Sequence, residues 1–152
     1  MELLEKEKFI ANSKMCEPVK EEEVKDLIPI GEQMIKICLE KGGLGLAAPQ
    51  IGVYKSMFVW MNTDESFQIV FNPTYYPDGK KTNVIEGCLS FPDESYYLQR
   101  LKEIRAVFYT YDGNKMIKNT KRLIGQKAFV FQHEAQHLSN IIIADIGVLL
   151  EK

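Results

Sequence analysis

Apolar residues recur at three- and four-residue steps between Glu21 and Lys41, at Val24, Leu27, Ile28, Met34, Ile35 and Cys38. That period predicts a helix with one buried stripe. Glu21, Glu22 and Glu23 suit the positive end of its dipole, and Gly42 and Gly43 suit its stop. Pro29 and Gly31 interrupt the pattern, so a kinked first turn or a late start is expected. The first twenty residues mix charges of both signs and show no strong period. Further on, Ser56–Met61 and Phe67–Phe71 are short, rich in β-formers and separated by a polar stretch, which predicts strands. Pro77-Asp78-Gly79 signals a turn. Ile104–Tyr111 predicts another strand, reversed by Asp112-Gly113-Asn114 into Lys115–Leu123. After Gly125 the period turns helical again through Phe129, Val130, His133, His137 and Leu138, with Asn140 and Ile141–Ile143 ending the helix. A helix, several antiparallel strands and a second helix indicate an α+β fold.

Composition narrows the class. With 45% apolar and 26% charged residues over 152 positions, the chain is neither disordered nor fibrous, and its length suits one domain. Nineteen basic and 21 acidic side chains leave a net charge of −2, which disfavours a generic nucleic-acid binder. No apolar run approaches the ~20 residues that cross a bilayer, and the charged opening MELLEKEK sets the expectation of no signal peptide. Cys16, Cys38 and Cys88 are odd in number and widely spaced, which fits a reducing cytoplasm better than a disulfide framework.

The histidines carry the sharpest signal. The chain has two, His133 and His137, with Glu134 between them. Chance placement would give this arrangement in roughly one case in eight hundred, so a shared purpose is the better account. Residues i and i+4 share a helix face, and two imidazoles there can reach one metal ion. Glu134 lies one step round, close enough to take a proton from water without ligating the ion. A catalytic site of this type needs a third ligand. Cys88, in Glu86-Gly87-Cys88-Leu89-Ser90, reads equally well as that ligand or as a small core residue. Cys38 sits on the apolar stripe of the first helix and belongs to the core. Gly43-Leu44-Gly45-Leu46-Ala47-Ala48-Pro49-Gln50 has almost no side-chain bulk, so a ligand's backbone could lie against it; a helix stop followed by a tight turn explains it as well. It has neither the P-loop nor the dinucleotide spacing.

Taken together, Gly43–Gln50, Glu86–Ser90 and His133–His137 resemble the three signatures of the peptide deformylase family, G-x-G-x-A-A-x-Q, E-G-C-L-S and H-E-x-D-H, in that order. Two motifs are complete, and the third keeps its metal and base positions. Weaker resemblance runs from about Cys16 to Asp145. The resemblance implies a single domain over 1–152, with mostly antiparallel sheets around a central metal-binding helix. It also implies that the C-terminal helical extension of many bacterial members is lacking.

It further implies hydrolysis of the N-terminal formyl group from formyl-methionine of nascent chains, releasing formate. Cys88, His133 and His137 would hold one divalent ion, natively Fe²⁺, with Zn²⁺, Ni²⁺ or Co²⁺ able to substitute. Glu134 would move the proton, and the Gln50 amide and the Leu89 backbone N–H would stabilise the oxyanion. Substrate would lie along Gly43, Leu44 and Gly45 and against Glu86 and Gly87, its methionine side chain among Leu44, Val84, Phe129 and Val130. The partners implied are N-formyl-methionyl peptides and nascent chains with transient ribosome proximity, in the cytoplasm, without membrane or direct nucleic-acid binding. Gln136 departs from the family aspartate, which would deprive Arg100 of an acidic neighbour.

Three other readings compete. A metallopeptidase would draw its third ligand from Asp145 and leave Cys88 free. A degenerate relative would bind without turnover. A basic stretch at Lys115, Lys118, Lys121, Arg122 and Lys127 could meet nucleic acid, though a solvated hairpin explains it more simply.

Overall fold

In the computed structural model, which describes residues 1–150, the alternating segments pair into two antiparallel sheets. The larger joins β1 (Gly45–Ala47), β2 (Met57–Met61), β3 (Phe67–Pro77), β6 (Glu103–Tyr111) and β7 (Met116–Ile124) in the order β1-β2-β3-β6-β7. The smaller joins β4 (Lys81–Cys88), β5 (Phe91–Leu101) and β8 (Val148–Leu149) in that order. Helix α3 (Gln126–Leu138) packs on β1, β2 and β7 of the large sheet and on β5 of the small one. The expected α+β architecture around one central helix is therefore present.

Aromatic packing fixes α3 in place. Phe131 meets Phe58, Trp60 and Phe108 with ring centroids 5.2, 5.4 and 5.6 Å apart. All four rings are fully buried, and contacts of this kind add to the stabilisation from area burial. The other face of the large sheet is covered by α2 (Val24–Glu40) through Val24, Leu27, Met34, Ile37 and Cys38. Gly31 lets α2 lie close, because a Cβ there would stand 2.6 Å from Ile69 Cδ1.

Several expectations change in detail. Helix α2 runs unbroken through Pro29, preceded by a 3₁₀ turn at Glu21–Glu23 whose Glu23 carboxylate accepts the Lys20 N–H at 2.8 Å. Strand β3 continues past Phe71 to Pro77 by way of a register shift. There Asn72 takes φ 49°, and its side-chain amide exchanges two 2.8 Å hydrogen bonds with the Val19 backbone. A third helix, α1 (Lys6–Asn12), forms in the segment without a clear period, and Phe9 buries its ring under the small sheet. A short α4 (Ile143–Ile146) follows the end of α3. Cys16, Cys38 and Cys88 are all free, and burial pushes the Cys16 and Cys38 thiols up to about 11 and about 12.

Candidate metal centre

The α-helical repeat of α3 sets His133 and His137 on one face, turned toward the end of β4. Their Nε2 atoms are 3.2 Å apart, and Cys88 Sγ lies 3.6 Å from His137 Nε2. The three donor atoms all fall within 4.8 Å of one another, and no other such group occurs among the described residues. A tetrahedral ion with metal–nitrogen and metal–sulfur bonds of about 2.05 and 2.3 Å has edges of about 3.3 and 3.6 Å, so the donors fit one. The charge of the cluster agrees. Burial alone would depress His133, yet Glu134, Cys88 and Glu86 overcome it and raise the imidazole to about 10. His137, buried and facing the positive His133 and Arg100, is held well below the usual histidine range.

Behind the donors lies a chain of supports. His133 Nδ1 is 2.8 Å from Glu86 Oε1, which turns Nε2 toward Cys88 and His137. Arg100 grips Glu86 with two 2.8 Å bonds, Nε to Oε2 and Nη2 to Oε1, and also donates from Nη1 to Gln136 Oε1. Burial works to raise the Glu86 carboxyl, but hydrogen bonds from Arg100 and His133 outweigh it and hold it at about 2. Arg100 does not lack an acidic neighbour, contrary to what the Gln136 departure suggests: Glu86 supplies it from the facing strand. His137 has no comparable hydrogen bond at Nδ1, which is buried and unpartnered among the described residues. Its ring rests on Phe9, 5.6 Å away edge-on.

Glu134 is 4% exposed and lines the same cleft as Cys88 and His133, with Oε1 unpartnered among the described residues. Burial, then the Glu86 charge, push its carboxyl up to about 7 against His133 and Arg100. Gln50 is 1% exposed rather than a surface residue. Its Oε1 accepts the Ala47 N–H at 2.9 Å, which aims the amide NH₂ at Ser90 Oγ (3.0 Å) and Cys88 Sγ (3.5 Å). A cleft of about 830 Å³ opens over this cluster. Gly43, Leu44 and Gly45 form one wall, Val84, Glu86 and Gly87 the other, and Leu89, Phe129 and Val130 also line it. Every site residue that the resemblance names lines the cleft except His137, which reaches it through Cys88, 3.6 Å from its Nε2. Asp145 caps the Ile142 N–H at 3.1 Å in α4 and takes no part in the cluster, which removes the metallopeptidase ligand set.

The Polypeptide deformylase family matches residues 10–150. The chain belongs to the peptide deformylase family. It is 36% identical over 115 residues to the peptide deformylase of Thermotoga maritima, covering 75% of this chain and 68% of the relative. Over 120 residues it is 32% identical to that of Finegoldia magna, covering 76% and 71%. The crystal structure of the Thermotoga maritima protein superimposes with a TM-score of 0.83 at 30% identity, over 95% of each chain. A peptide deformylase from Acinetobacter baumannii shares the fold at 24% identity, TM-score 0.85, over 96% of this chain and 97% of that one. The family comprises metallohydrolases that remove the N-terminal formyl group from nascent polypeptides, and this chain is such an enzyme.

Sequence reasoning missed one residue, one strand and one contact. Phe9 lies in a segment without period. Strand β5, which carries Arg100, is too polar on its outer face to announce itself. Glu86 is named by its motif, but its bridging of Arg100 and His133 depends on the β4–β5 register.

Proposed function

We propose that the chain deformylates N-formyl-methionyl peptides with Cys88, His133 and His137 holding one Fe²⁺ ion, which Zn²⁺, Ni²⁺ or Co²⁺ can replace. The observation that carries this reading is one thiol and two imidazoles whose donor atoms lie within 4.8 Å of one another, beside the buried Glu134, whose Oε1 is unpartnered among the described residues. A bound divalent ion supplies Lewis-acid polarisation and lowers the pKa of water in the site.

The remaining chemistry belongs to side chains. Glu134, whose burial raises its carboxyl to about 7, takes a proton from the attacking water and returns it to the amine as the C–N bond breaks and formate leaves. The Gln50 NH₂ and the Leu89 N–H donate to the oxygen that turns negative as the formyl carbon becomes tetrahedral. Leu44, Val84, Phe129 and Val130 receive the methionine side chain, while Gly43–Gly45 and Glu86–Gly87 flank the peptide backbone. A Cβ at residue 45 would stand 2.6 Å from Glu134 Oε2, so this wall of the cleft admits no side chain beside the carboxylate. No described helix is long and apolar enough to cross a membrane. We place the enzyme in the cytoplasm near ribosomes, where formylated chains emerge, without direct nucleic-acid contact.

The test is a comparison of formyl-Met and acetyl-Met peptides on protein purified without air, with metal analysis of the same preparation. Formate release from the first alone, with one ion per chain, is expected. Equal cleavage of the acetylated peptide, or cleavage of internal bonds, would refute the reading.

A further inference from the structure

The outer face of the small sheet carries an apolar row flanked along β4 and β5 by polar or small residues. Ile85, Tyr97 and Val148 are 66%, 42% and 66% exposed, and they are direct cross-strand neighbours: Ile85 opposes Tyr97, and Tyr97 opposes Val148. On one side of the row lies the Asn83–Gln99 amide pair; on the other lie Gly87 and Ser95. Single exposed apolar side chains need no explanation, but a row of three crossing a whole sheet does.

Its position supplies the explanation. Strand β4 is outermost in the order β4-β5-β8, so among the described residues one of its edges is free of strand partners, and Ile85 on that strand lines the cleft. Burial alternates along β4: Val84 and Glu86 turn inward toward α3, while Ile85 turns out. A peptide strand added to a free edge alternates in the same way. With the substrate methionine turned inward, the next side chain turns outward and stands beside Ile85 as its cross-strand neighbour.

We propose that Ile85, backed by Tyr97, reads the residue that follows formyl-methionine and favours an apolar side chain there. This rests on the deformylation reading above and deepens it by naming a substrate preference. The contact is formed equally before and during reaction, so it acts on KM rather than kcat.

The experiment measures kcat and KM for formyl-Met-Ile-Ser and formyl-Met-Asn-Ser amides. The expected kcat/KM ratio is about two- to fivefold in favour of isoleucine, the size of one apolar cross-strand pair. Ile85→Asn brings the ratio to about one, and Tyr97→Ser lowers it less. Both substitutions are at exposed positions, and unchanged thermal unfolding verifies their fold. Equal kcat/KM for the two peptides in the unsubstituted enzyme, or a preference that survives Ile85→Asn, overturns the inference and leaves deformylation standing. Cleavage of neither peptide overturns both.

Discussion

Gly45 lies so close to Glu134 that a Cβ at residue 45 would stand 2.6 Å from Glu134 Oε2. No side chain fits between the cleft wall and the buried carboxylate. Gly45→Ala is expected to displace Glu134 and lower kcat/KM by about a hundredfold or more, the usual contribution of a positioned acid–base group. Metal stoichiometry should stay at one, because the three atoms nearest a Cβ at residue 45 all belong to Glu134 and not to Cys88, His133 or His137. A Gly45→Ala enzyme of normal rate would show that the closeness is irrelevant to proton transfer.

Glu134→Gln removes the proton acceptor and keeps the shape. Turnover should fall by at least about a hundredfold while metal binding is retained. Cys88→Ser or His137→Ala should instead lose the ion. Elemental analysis beside a formate assay separates the two classes.

The depressed Glu86 carboxyl makes stability depend on acid. Its folded pKa of about 2 lies below the ordinary 4.5, so the unfolded chain takes the proton first as pH falls. Its stabilisation is complete above about 4.5 and is lost progressively toward about 2. Thermal unfolding should therefore show a gap between the wild type and Glu86→Gln at pH 7 that narrows by pH 3. A gap of constant size would mean that the carboxylate is not held in its charged form.

Gln136→Asp restores the family residue but shortens the side chain that meets Arg100, whose charge Glu86 already balances. It also adds negative charge near Glu86, with which position 136 shares Arg100. Activity should be unchanged or reduced by up to roughly tenfold, within the range of residues that support metal ligands. A rise in formate release would mark Gln136 as a defect.

Phe9 is 1% exposed between Phe91 and His137. Phe9→Ala should cost about 3–5 kcal/mol of folding stability. Denaturant unfolding measures this directly, and metal affinity should fall as well, because His137 loses the ring that holds it. Full affinity at reduced stability would confine Phe9 to packing.

The sequence alone determined the parts of this enzyme that depend on local order. The i, i+4 histidines with Glu134 name a metal helix because helical geometry is set by the backbone repeat, whatever the surroundings. The apolar stripes of α2 and α3 and the turns at Pro77 and Asp112 were legible for the same reason, since each is a rule over a few neighbouring residues. Cys88 could not be told from a core residue by local pattern, and only resemblance to a family gave it a role. Tertiary structure decided the rest. Strand pairing brings Glu86 to Arg100, helix packing carries His133 to Cys88, and chain reversal lays Phe9 against His137; each joins residues far apart in sequence, and no local period encodes such a meeting. The buried carboxylate near 7 and the one near 2 have the same cause. The two glutamates diverge because one is desolvated, with Oε1 unpartnered among the described residues, while the other is held by an arginine and a histidine.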